Sequence, residues 1–156
     1  MTGLLASVLL SGGCGFHLQD ALTLPPVMQR TYVRTVDTHS LFYRELRREL
    51  QAAGVELLDA PAADGAVIDI LVDETDQRVL SVSARNVPTE YEVYYTVHYG
   101  ISHAGAVTVP VQDLTLTRDY TYDPTLVLGK EREEQVLRER IVEDLVRIVL
   151  EQASAR

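Results

Sequence analysis

Tyr91-Glu92-Val93-Tyr94-Tyr95-Thr96-Val97-His98-Tyr99-Gly100-Ile101-Ser102 sets the architecture of this chain. Tyr91, Val93, Tyr95, Val97, Tyr99 and Ile101 alternate with Glu92, Tyr94, Thr96, His98, Gly100 and Ser102. Side chains in a strand point alternately to opposite faces, so strict alternation predicts a half-buried strand. One face is apolar and aromatic and must pack on something. The other carries Tyr94 and His98 and is left for solvent or a partner.

Downstream, Ala104-Gly105 predicts a tight hairpin turn. Val107, Val109 and Val111 begin the return strand, and Leu114, Leu116 and Arg118 continue it in the opposite phase. A slip of one residue exchanges the two faces, so a bulge or kink is expected near Pro110 to Asp113. Tyr122-Asp123-Pro124 ends that strand. From Gly129 to about Gln152 the pattern turns helical, with Leu137, Ile141, Leu145 and Ile148 as the core stripe, widened by Val142 and Val149.

Upstream, Val67 to Thr75 reads as a strand with Ile68, Ile70 and Val72 on one face, and Arg78-Val79-Leu80-Ser81-Val82 continues or follows it. Arg85-Asn86-Val87-Pro88 reads as a reversal and Asp59 to Gly65 as a turn-rich connector. Phe42, Leu46, Leu50 and Ala53 recur at helical spacing between Ser40, a suitable N-cap, and Gly54, a suitable C′ residue. Thr31 to Val36 is β-branched and aromatic and reads as a strand. The predicted order is β-α-β-β-β-α. The simplest solution is α+β, a two-layer sandwich with two helices on one face of a four-stranded mixed sheet.

Cys14 is the only cysteine in the 156 residues. It follows the apolar run Leu4 to Leu10 and the small residues Ser11-Gly12-Gly13. That is how a bacterial lipoprotein signal ends: a peptidase needs small side chains beside the scissile bond, and the new N-terminal cysteine carries lipid. Residues 1–13 are therefore expected to be a signal peptide and Cys14 the lipid attachment site. Residues 14–29 are expected to be a tether, held extended by Pro25-Pro26. Residues 30–152 form the single domain and 153–156 a tail. The apolar run is far shorter than the roughly 20 residues that span a bilayer, whereas multiple acyl chains on one cysteine anchor stably.

The net charge of −9 argues against nucleic acid, whose phosphates need clustered cations. A lone cysteine gives no disulfide and no cysteine-based zinc site. The histidines His17, His39, His98 and His103 lack zinc-protease spacing, and no serine sits in a nucleophile-elbow motif. Asp73, Glu74 and Asp76 lack the glycine and spacing of a calcium loop. No catalytic residue, metal or cofactor is expected. The remaining unusual feature is tyrosine, eight copies with four of them in the long strand. Tyr91, Tyr95 and Tyr99 fit a core face. Tyr94, with His98 nearby, belongs to the face the helices do not cover, where tyrosine suits protein contact.

Cys14-Gly15-Phe16-His17-Leu18 resembles the start of mature LptE lipoproteins. Arg78-Val79-Leu80-Ser81-Val82, Glu90-Tyr91-Glu92-Val93 and Leu116-Thr117-Arg118-Asp119-Tyr120-Thr121-Tyr122-Asp123 agree in order and spacing, followed by Val127-Leu128-Gly129 and an acidic helix. The resemblance covers essentially the whole mature chain. It implies an outer-membrane lipoprotein facing the periplasm that plugs the β-barrel LptD and, with it, delivers lipopolysaccharide to the outer leaflet. It also implies direct contact with lipopolysaccharide. The basic residues implicated in that contact in the family do not map cleanly here: Ser102 to Gly105 offers only His103, and the matching helix segment is the mixed Arg138-Glu139-Arg140. No lipopolysaccharide-binding residue is carried over. The other reading is a generic periplasmic lipoprotein holding a small apolar ligand between helices and sheet. A carrier needs one deep apolar pocket; a plug needs a broad polar and aromatic surface.

Overall fold

The computed structural model describes residues 24–122 and 127–155. Its sheet has five strands: β1 (Arg30–Arg34), β2 (Glu56–Leu58), β3 (Ala66–Val82), β4 (Pro88–His103) and β5 (Ala106–Thr121). Two helices complete the fold, α1 (Leu41–Ala52) between β1 and β2, and α2 (Val127–Ser154) after β5. The spatial order is β2-β1-β3-β4-β5, with β1 parallel to both its neighbours and β3, β4 and β5 an antiparallel meander.

The four-strand expectation is thus corrected to five. The missed element, β2, is three residues long, too short to display an alternation. It forms because Gly54, at φ 80, ends α1 and turns the chain back, so that Arg30, Thr31 and Tyr32 pair with Glu56, Leu57 and Leu58. Glycine takes this left-handed conformation without the Cβ penalty other residues meet. At the other end of α1, Ser40 caps as expected: its hydroxyl accepts from the Tyr43 backbone N–H at 3.0 Å.

Several register shifts set which side chains face the helices, among them those at Leu71 and at Pro110-Val111. Ile70 pairs with Tyr99 but Val72 with His98, so Leu71 is an extra residue in β3. The phase flips there, as one inserted residue requires. Val72, expected beside Ile68 and Ile70, lies on the opposite face, and Asp73 takes the helix side. In β5 the expected irregularity is present. Tyr99 pairs with Gln112 and Ile101 with Val109, leaving Pro110 and Val111 both opposite Gly100. A Cβ on Gly100 would lie 3.1 Å from Val111 Cγ2, so this close approach uses the missing side chain. The β4–β5 turn has Ala104 at φ 50 and Gly105 at φ 79, the doubly left-handed geometry whose twist matches a two-residue hairpin.

The core lies between the helices and one sheet face. Phe42, Leu46 and Leu50 of α1 share one buried core with Ile68, Val93, Val97 and Tyr99 of the sheet. From α2 come Ile141, Val142, Leu145, Val146, Val149, Leu150 and Ala153, all buried. The predicted stripe was centred slightly wrong: Leu137 and Ile148 are only half-buried, while Val146, Leu150 and Ala153 are inside. The helix wedges between α1 and the meander, so its buried arc is wider than a single row of i, i+3, i+4 positions. Residues 24–29, read from the sequence as the end of an extended tether, pack on this body instead. Leu24 and Met28 are buried, and Pro26–Met28 forms a 3-10 turn with proline at its start, where its missing N–H costs nothing.

Candidate functional site

The hydroxyls of Tyr95 and Tyr99, buried on the core face of β4, have to be satisfied inside the fold. Tyr95 donates to Asp73 Oδ1 at 2.6 Å and accepts from the Phe42 N–H at 3.3 Å. Ser40 donates to the other oxygen of Asp73. Burial raises the Asp73 carboxyl above the ordinary aspartate value, partly offset by the hydroxyls of Ser40 and Tyr95. The Tyr95 hydroxyl is pushed up by burial and then by Asp73. Nothing here resembles a catalytic group aimed at a substrate: both partners are consumed in joining α1 to the sheet. Tyr99 donates to Gln152 at 2.5 Å and accepts from Gln112 at 2.6 Å, tying α2 to β4 and β5. Among the described residues no cluster of His, Cys, Asp or Glu could hold a metal ion.

The opposite face of the meander carries the residues singled out for a partner. Both helices lie on the other side, so α1 and α2 do not cover it. Tyr94 is half-buried, stands across from Asp76 and Thr117, and has the Arg78 guanidinium 6.0 Å from its ring centroid. That distance is within the reach of a cation–π contact. Arg78 also pairs with Glu92. His98 sits across from Asp113, with Nδ1 3.4 Å from Oδ1. Between them Thr96 and Thr115 share a hydrogen bond at 2.9 Å. Tyr94 and His98 therefore occupy one continuous polar face, two rungs of the ladder apart in β4. This face also carries exposed aliphatics. Leu71 is 54% and Val111 62% exposed; Leu71 escaped the sequence reading because it is the extra residue of a bulge. Cys14 lies outside the described residues, as does the turn at Asp123-Pro124.

Two clefts are lined by charged and polar side chains. One of about 290 Å3 lies between α1 and α2, around Arg44, Arg48, Glu139 and Glu143. The other, about 210 Å3, lies where β1 and β2 end. Neither is the deep apolar pocket between helices and sheet that the carrier reading needs.

The LptE family model, described as lipopolysaccharide-assembly, matches residues 21–153. The LPS-assembly lipoprotein LptE of Yersinia enterocolitica is 27% identical over 86% of this chain, which spans 65% of that protein's length. The LptE lipoprotein of Pectobacterium atrosepticum is 25% identical over 92% of this chain and 80% of its own. Among solved structures, an uncharacterized lipoprotein B from Nitrosomonas europaea is similar with a TM-score of 0.73 and 26% identity, covering 90% of this chain and 91% of that one. The rare lipoprotein B from Shewanella oneidensis has a TM-score of 0.72 at 24% identity, covering 81% and 94%, and speaks for the fold alone.

Proposed function

This chain belongs to the LptE family of lipopolysaccharide-assembly proteins, and from that premise we propose that it is a lipid-anchored plug of the outer-membrane β-barrel LptD. It faces the periplasm, is held to the outer membrane through acylated Cys14, and serves delivery of lipopolysaccharide to the outer leaflet. It acts by filling and supporting the barrel, not by turning over a substrate.

The observation that carries this reading is the asymmetry of the sheet. One face is closed by both helices. The other is a polar ladder running from Arg78–Glu92 past Tyr94 and Thr96–Thr115 to His98–Asp113. The lumen of an outer-membrane barrel is itself polar, so a polar face is the complementary surface for it. Large interfaces concentrate their energy in a few aromatic and arginine anchors, and Tyr94 under Arg78 is the first candidate.

Site-specific photocrosslinking from position 94 in cells tests the contact. A barrel-sized adduct is expected, and depletion of this protein should leave the barrel unstable. Crosslinks confined to soluble periplasmic proteins, with a stable barrel on depletion, would favour the small-ligand carrier. The anchor is tested separately. Metabolic labelling with an alkyne fatty acid should mark the protein, and Cys14→Ala should abolish the mark; label surviving that substitution would refute acylation at Cys14.

A further inference from the structure

The cleft of about 290 Å3 between α1 and α2 has walls of opposite charge. Arg44 and Arg48 stand on the α1 side, Glu139 and Glu143 on the α2 side. Each pair is four residues apart, so its members share one helix face. Leu41 and Val142 line the same cleft. Val142 is buried and Leu41 half-buried, whereas all four charged residues are exposed. The apolar pair therefore forms the floor and the charges the rims.

Opposite charges on facing helices ordinarily close into ion pairs, and here they stay apart. Arg48 turns along its own helix to Glu45 and Glu49. Glu139 accepts only from the Gln135 side-chain amide, at 2.9 Å. Among the described residues Arg44, Glu139 and Glu143 form no ion pair. A guest carrying both charges would satisfy both rims at once, and its carbon stem would cover the floor. We propose that this cleft binds a zwitterion whose carboxylate and ammonium are separated by an aliphatic stem, the chemistry of an ω-amino acid or a C-terminal lysine. The carboxylate goes to Arg44, whose planar fork of N–H donors matches two carboxylate oxygens. The ammonium goes to Glu139 and Glu143, since its three donors can serve two carboxylates. The methylenes lie over Leu41 and Val142. A bare cation would be opposed by Arg44. A bare anion would be opposed by the rim carboxylates and by the net charge of −9, which acts over the whole surface. The inference goes beyond the plug reading and does not depend on it.

The test is an amide NMR titration of the full-length chain with 6-aminohexanoate, L-lysine and the peptide acetyl-Gly-Gly-Lys. Hexylamine, hexanoate and the C-terminal amide of the peptide are the single-charge controls. Saturable shifts are expected at Leu41, Arg44, Val142 and Glu143, with binding that weakens as salt is added. Arg44→Gln and Glu143→Gln should each weaken binding about tenfold. Arg48→Gln should weaken it less, because Arg48 is already held by Glu45 and Glu49. Tighter binding of acetyl-Gly-Gly-Lys than of the free amino acids would name a protein chain end as the source, and the reverse order a free amino acid. A single-charge control that binds as well as its two-charge counterpart would overturn the site. So would shifts scattered over the surface, or equal binding by the wild type and a folded Arg44→Gln. None of these outcomes depends on whether position 94 crosslinks to a barrel.

Discussion

Phe42→Ala is expected to lower the unfolding free energy by about 3–5 kcal/mol. Phe42 is fully buried in the first turn of α1. Its backbone N–H reaches the Tyr95 hydroxyl, which in turn holds Asp73, while Ser40 caps the helix and binds that same carboxylate. Alanine keeps the N–H and the cap, so the expected loss is the ring's transfer energy plus the cavity it leaves among residues already tied in place. Such a site collapses poorly, which puts the cost toward the upper part of the range. Arg44→Ala, two residues on and on the exposed side, should stay within about 0.5 kcal/mol. Urea unfolding of both variants measures this. A Phe42→Ala loss below about 1 kcal/mol would mean α1 is not seated on the sheet as described.

The second large effect concerns the other helix. Ile141 is fully buried and Glu139, two residues earlier, is exposed. Ile141→Ala should cost about 2–5 kcal/mol, and Glu139→Ala no more than about 0.5 kcal/mol. Equal losses in the two variants would mean that α2 presents a different side to the sheet.

Much of this architecture could be read from the chain because its signals are local and periodic. The alternation from Tyr91 to Ser102 gave β4 and its two faces, Ser40 and Gly54 bounded α1, and the phase change between Val111 and Leu114 announced the bulge in β5. What escaped depends on distant pairing. β2 exists only because Arg30 to Tyr32 lie ready beside it, and three residues carry no period. The insertion at Leu71 is invisible in sequence because Ile68, Ile70 and Val72 alternate without a break; only the register against Tyr99 and His98 shows that one residue is extra. The Pro25-Pro26 pair suggested an extended lead-in, yet Leu24 and Met28 had an apolar surface to bury, and tertiary packing decided their conformation. The candidate partner face was legible as a face. The cleft where β1 and β2 end was not, since its walls come from β1, β2 and α1, which no spacing in the sequence brings together.

The two outer strands bear on how the protein avoids pairing with other chains. A sheet margin offers unpaired backbone groups to any passing strand, and a long flat margin invites chains to stack on one another. Here one margin is β2, only three residues long. The other, β5, is 16 residues long but is kinked where Pro110 and Val111 crowd opposite Gly100. Pro110 adds no N–H to it, and Asp113, Arg118 and Asp119 place charge along it. The irregularity that re-aims β5 toward its own core thus also blunts the molecule against strand-to-strand self-association.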